Sequence, residues 1–153
     1  MDVGSVSIGT AIGKSILDIF VRNCDNERKW LENLREKVNQ WYNEMTEPLL
    51  PITSGQVKML TPQMQMAARG LYEKHFLHTA GSDIRFKMQE RELDVLREKD
   101  LLKLVDEYLA AGSFIKDAAY SGDINGLYEG WQVFTEKRGF LNDEINARLR
   151  GLA

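Results

Sequence analysis

Cysteine, proline and histidine are all scarce in this chain, and no apolar run is long enough to be an obvious membrane span. With Cys24 as its single cysteine, the chain can close no internal disulfide. The residue's place in an apolar register suits a reduced, buried thiol and a reducing compartment. A reactive cysteine needs a base and an electropositive setting, whereas the neighbours are Asn23 and Asp25. The two histidines, His75 and His78, share a helix face. Zinc needs three or four ligands, and neither a Cys pair nor an HExxH motif joins them. They also sit on a stripe with Met64, Ala68 and Leu71, which predicts a packed or pH-sensitive interface position rather than a metal ligand.

Charge of one sign is missing too. Lys and Arg total 20 against 23 Asp and Glu, a formal net charge of -3 with no block of like charges, so nucleic acid is disfavoured as a partner. Arg85, Lys87, Arg91, Arg97, Lys99 and Lys103 are interleaved with acids and lack an aromatic platform. Residues 3–21 come nearest to a membrane segment, but they carry Lys14 and Asp18 among several Ser, Thr and Gly, where a spanning helix needs about twenty mostly apolar residues. Asp2 precedes this stretch and no Lys or Arg occurs before Lys14, so no cleaved secretory signal is expected. The expected location is cytoplasmic, or peripheral to a membrane. No G-x-S-x-G elbow and no Gly-rich phosphate loop occurs. Glu90, Glu92, Asp94 and Glu98 alternate with Arg91, Arg97 and Lys99 as on an ordinary solvated helix face. An enzyme, a cofactor and a metal are therefore not expected.

What the chain does have is helical periodicity. Leu17, Cys24, Leu31, Val38 and Met45 recur every seven residues, with Phe20, Leu34 and Trp41 on the partner positions of the heptad. Unbroken from Thr10 to Met45, this register extends about 50 Å at 1.5 Å per residue. Asn23, Asp25 and Asn26 compete with the backbone for hydrogen bonds and are a candidate interruption. Glu27 to Met45 is the strongest helix. Pro48, Pro51 and Gly55 mark a linker at about residues 46–60. Thr61-Pro62 opens a second helix running to about His78.

Gly81-Ser82-Asp83 separates that helix from a third, charged one ending near Gly112, with Phe86, Leu93, Leu96, Leu101, Leu104, Val105, Tyr108 and Leu109 as its apolar positions. A short helical turn is predicted from about Phe114 to Tyr120. Ser121-Gly122-Asp123 then opens a last helix, whose apolar positions are Ile124, Leu127, Trp131, Phe134, Leu141, Ile145 and Leu152. No strand pattern or repeat is present. The expected fold is all-α: a bundle of four to five helices with a long N-terminal coiled-coil-like helix or helix pair. Residues 1–22 read as an apolar Gly-containing segment and 23–153 as one domain.

Two glycine pairs, Gly9/Gly13 and Gly126/Gly130, each put small residues one helical turn apart, which lets another helix approach closely. Around the first pair, Val6, Ile8, Ile12, Ile16, Leu17, Ile19 and Phe20 are nearly all-round apolar, so this segment must bury itself in a core, a partner or a bilayer interface. Two seams remain, Leu31/Leu34/Val38/Trp41 and Leu127/Trp131/Phe134/Leu141; one is expected to build the core and the other an intermolecular contact. Trp30, Trp41 and Trp131 are expected in core or interface.

A small, apolar, glycine-bearing leader before a Trp-rich helical bundle resembles the membrane-acting helical domains of cell-death executioners and phage genome-ejection proteins. The resemblance covers the first third of the chain. It implies insertion of the leader into a partner, an oligomer or a membrane, through Gly9, Ile12, Gly13, Ile16 and Phe20. The alternative is a soluble helical regulator of the immunity-protein, antitoxin or inhibitor kind, binding a protein partner.

Overall fold

A computed structural model describes the backbone of residues 3–47, 61–63, 66, 80–89 and 95–152, and the side chains of 22–47, 61–63, 66, 81–89 and 99–152. Among these residues there is no strand, and four helices form the bundle: α1 (Val3–Thr46), α2 (Ala80–Gln89), α3 (Val95–Ser121) and α4 (Ile124–Gly151). The chain is all-α there, as its periodicity predicts. Of the second helix expected from Pro62, only Pro62, Gln63 and Met66 are described, and they are helical. The linker from Pro48 to Leu60, and His75 and His78, lie outside the described residues.

Three places that read locally as helix breaks lie within helices. The helix α1 passes through Asn23–Asn26, the candidate interruption, without a break. Asn23, Asp25 and Asn26 are exposed, and the Asp25 carboxylate accepts from Arg28 Nη1 at 3.1 Å rather than capping a new helix. Ala80–Gln89 is helical through Gly81-Ser82-Asp83, and Asp83 lies in the first turn, where its charge suits the helix dipole. Lastly, α3 continues through Gly112 to Ser121 and absorbs the turn expected at Phe114–Tyr120.

The hinge between α3 and α4 is the sharpest local signal in the chain. Gly122, at φ 73°, takes the left-handed conformation that glycine adopts without a Cβ penalty. Gly122 N–H donates to the Ala119 carbonyl at 3.3 Å and Asp123 N–H to the Ala118 carbonyl at 3.0 Å, the paired bonds of a Schellman stop. Asp123 then caps α4 at once, its Oδ1 accepting from Gly126 N–H at 2.9 Å. The chain therefore reverses within two residues, and α3 and α4 lie antiparallel.

Every described helix contributes to one core. Leu31, Leu34, Val38, Trp41 and Met45 of α1 meet Ile84 and Met88 of α2, Leu101, Val105, Tyr108 and Ile115 of α3, and Leu127, Phe134, Leu141 and Ile145 of α4. On α3 the buried sequence Leu101, Val105, Tyr108, Gly112, Ile115, Ala119 alternates four and three, a regularity hidden when Gly112 is read as a terminator. Gly112 is needed as a gap. A Cβ there would overlap Cη2 of Trp41 and lie 2.9 Å from Cζ2 and Cζ3, and a Cβ on Gly81 would lie 2.9 Å from Cε2 and Nε1 of the same indole.

These gaps generate a paired prediction. Gly112→Ala should destabilise the fold by about 1–2 kcal/mol, overpacking against Trp41 outweighing the gain in helix propensity. Gly139→Ala, whose new Cβ would meet nothing within 4 Å, should instead stabilise it by about 0.5–1 kcal/mol. Urea titration followed by circular dichroism checks both, and a stabilised Gly112→Ala would show that the slot is loose.

Candidate interaction site

The aromatic centre of the bundle is built by three helices. Trp41 stands edge-on to Tyr108 (centroids 5.3 Å, 80°) and to Phe134 (5.3 Å, 88°). Tyr108 and Phe134 stack at 4.8 Å and 8°, and Tyr42 stacks on the other side of Phe134 at 5.4 Å and 23°. The Tyr108 hydroxyl donates to the Val38 carbonyl at 2.7 Å, which satisfies a phenol that would be costly to bury alone. Thr135 Oγ1 donates to the Trp131 carbonyl, so the Tyr42 phenol is the donor in its 2.9 Å bond to Thr135. The Arg138 guanidinium covers the Tyr42 ring at 3.7 Å and occupies a position where a strict heptad would place an apolar residue.

Beside this centre runs a polar seam that sets the register of α1 against α4. Arg28 Nη2 donates to the Leu152 carbonyl at 3.2 Å, Arg35 Nη1 to Asn146 Oδ1 at 2.8 Å, and Asn142 Nδ2 to Asn39 Oδ1 at 3.0 Å. The pairs step in opposite directions along the two helices, so the helices are antiparallel and Arg28 lies opposite the end of α4. On the other flank of α1, Lys37 meets Asp83 at 3.4 Å and Lys87 lies 5.8 Å from the Trp30 ring centroid, which aligns α2 antiparallel to α1.

The packing corrects the expectation of two separate seams. Leu31, Leu34, Val38 and Trp41, and Leu127, Phe134 and Leu141, are all buried in the same intramolecular core, and Trp131 is half-buried against it. Neither seam is divided off as a contact face. Gly126 and Gly130 are also used within the chain: a Cβ on Gly126 would stand 2.5 Å from Oδ2 of the capping Asp123 and 3.4 Å from Ala118 Cβ, and one on Gly130 2.8 Å from the Phe114 ring. Gly9, Ile12, Gly13, Ile16 and Phe20 all fall within α1, but their side chains lie outside those described. Among the described residues no three His, Cys, Asp or Glu side chains converge on a metal-sized site, and Cys24 is a half-buried free thiol.

The open surface lies elsewhere, between α3 and α4. A groove of about 400 Å³ is floored by Ala110, Ala111, Phe114, Gly130 and Val133, and carries Glu107, Glu129 and Lys137 at its rim. Phe114 is 51% exposed and Val133 44%, and one turn beyond Lys137 the Phe140 ring is 46% exposed. Lys137 Nζ bonds Glu107 Oε2 at 3.2 Å and sits 5.7 Å from the Phe140 ring centroid. Periodicity alone misses this face, because a separate short helical turn at Phe114 hides its alignment with the rest of α3 and Val133 stands beside the core position Phe134; the spacing of Gly130 and Val133 opposite Ala110 and Phe114 is the signal it leaves. No helix among the described residues is long and apolar enough to cross a membrane. Comparison with protein-family models, with curated proteins and with solved structures finds no match to this chain.

Burial pushes the Tyr108 phenol far above the ordinary tyrosine range, against the opposing pull of the Arg138 charge. The folded state therefore keeps this proton at a pH where the unfolded chain, with a phenol pKa of about 10, loses it. Up to that pH the shift is silent; above it the unfolded state binds fewer protons and stability falls by about 1.4 kcal/mol per pH unit for this group. Tyr108→Phe should cost about 1 kcal/mol at neutral pH and make the loss between pH 10 and pH 11 shallower by about half to nine-tenths of a proton. Chemical denaturation of both proteins across that range reads the difference, and parallel slopes would refute the assignment.

Proposed function

We propose that this chain is a non-enzymatic helical assembly protein, in which the bundle holds out the apolar N-terminal part of α1 for insertion into a partner, an oligomer or a membrane surface. The observation that carries this reading is the register of α1. Among the described residues its bonds to α4 begin at Arg28, opposite Leu152, and the core begins at Leu31. Residues 3–27 of α1 belong to the same helix but lie beyond the level at which α4 ends. At 1.5 Å per residue this is about 37 Å of helix.

That length carries Gly9, Ile12, Gly13, Ile16 and Phe20 in a composition that water does not favour. The long coiled-coil-like helix expected from the heptad belongs to this proposal: Leu17 and Cys24 continue the repeat of Leu31, Val38 and Met45 toward the N-terminus, and a continuing repeat favours a helical partner over an isolated anchor. The close spacing of Gly9 and Gly13 favours contact between backbones.

Liposome flotation together with light-scattering mass, on the chain with and without residues 1–20, tests the proposal. The full chain should float or form assemblies larger than a dimer, and the truncated chain should do neither while keeping its unfolding midpoint within about 3 °C. Gly9→Leu/Gly13→Leu should lose assembly although its hydrophobicity rises, because leucine blocks close helix approach. A truncated chain that behaves like the full one would favour the rival reading, a soluble helical regulator or inhibitor binding a protein partner.

A further inference from the structure

We infer that the α3–α4 groove is the contact face for a second copy of this chain, with the two α4 helices antiparallel about a two-fold axis at Val133. The inference shares with the proposed function only the idea of an assembling chain; it uses a surface remote from residues 1–20. Three of the exposed large hydrophobic side chains, Phe114, Val133 and Phe140, gather on this face. Apolar area grouped in this way marks an association surface rather than ordinary scatter.

The order of residues along α4 favours this occupant. Glu129 precedes Val133 by four residues and Lys137 follows it by four, so all three share one face of the helix. When α4 meets a copy of itself antiparallel about Val133, each Glu129 comes opposite the second copy's Lys137, and the pairing occurs twice. A parallel pairing would instead set Glu129 against Glu129 and Lys137 against Lys137. The face is therefore self-complementary in charge only in the antiparallel sense, as an isologous two-fold contact requires.

Lys137 can serve both chains. Its ammonium carries three donors, one directed at Glu107 at 3.2 Å, and the others remain available for Glu129 of the second copy. Gly130 lets the Phe114 ring lie down against the α4 backbone, which makes the floor shallow enough for a helix to rest on it. The contact is of modest size, so a dissociation constant in the micromolar range, about 1–100 μM, is expected.

Sedimentation equilibrium on the full chain between about 5 and 300 μM should resolve a monomer and a dimer. Val133→Arg should weaken the dimer by about a hundredfold or more, through two buried like charges on the axis. Glu129→Lys and Lys137→Glu should each weaken it by about tenfold, and an equimolar mixture of the two should regain dimer, because every pair in the mixed species is again of opposite charge. A general structural defect would not be repaired by mixing. Circular dichroism reports folding for each variant, and should Val133→Arg fail to fold, the charge variants at the rim still decide the matter. A chain that stays monomeric throughout, an oligomer indifferent to Val133→Arg, or a mixture no better than its components would each overturn the inference. Flotation by residues 1–20 would be unaffected by any of these outcomes.

Discussion

The bundle is organised around the burial of one indole. Trp41 is the largest of the fully buried side chains, and it can be enclosed only because two neighbouring helices present bare backbone to it: α2 at Gly81 and α3 at Gly112. Each glycine weakens its own helix by about 1 kcal/mol relative to alanine. Burying an aromatic of this size, with two edge-to-face partners, offsets that cost. Once Trp41 is seated, the positions of α2 and α3 against α1 follow. Tyr108, one turn before Gly112, reaches the Val38 carbonyl, and Phe134 of α4 closes the remaining side.

Aromatic packing holds the elements together but specifies their alignment poorly, since apolar surfaces slide. The polar pairs between α1 and α4 supply the register. A shift of one turn would separate Arg35 from Asn146 and Asn39 from Asn142, leaving half-buried donors and acceptors without partners, at a cost of about 1–3 kcal/mol each. The Schellman stop at Gly122 and the cap at Asp123 do the same for α3 and α4 by fixing where the chain turns. Packing and polar satisfaction thus agree on one arrangement.

Because both heptad seams are spent on this core, the association proposed above would draw on what the core leaves over. Two surfaces qualify, at opposite levels of the molecule. One is the part of α1 that precedes Arg28, long and rich up to Phe20 in small and apolar residues, with Lys14 and Asp18 among them; the other is the shallow face of α3 and α4, where apolar side chains are framed by charges of both signs. In the proposed reading the first lies against a helical partner or a membrane surface. The second is suited to a reversible contact, since its rim stays solvated and its energy comes from a few central side chains.

Much of the architecture is legible without tertiary structure. Period and punctuation determine the helical class, the strength of α1 from Glu27 to Met45, and the turn at Ser121-Gly122-Asp123, because backbone hydrogen bonding, capping and left-handed glycine act within a few residues of chain. The core residues of α1 and α4 are legible for the same reason. Three matters were decided only in three dimensions. Glycine at position 112 reads locally as a stop, yet the indole across the interface requires that gap within a continuous helix. Asn23, Asp25 and Asn26 read as a break, yet their side chains are exposed and the backbone keeps its helical bonds. The division between core and surface was also invisible: both seams are equally apolar in one dimension, and how the four described helices share a limited interior is a property no single helix carries.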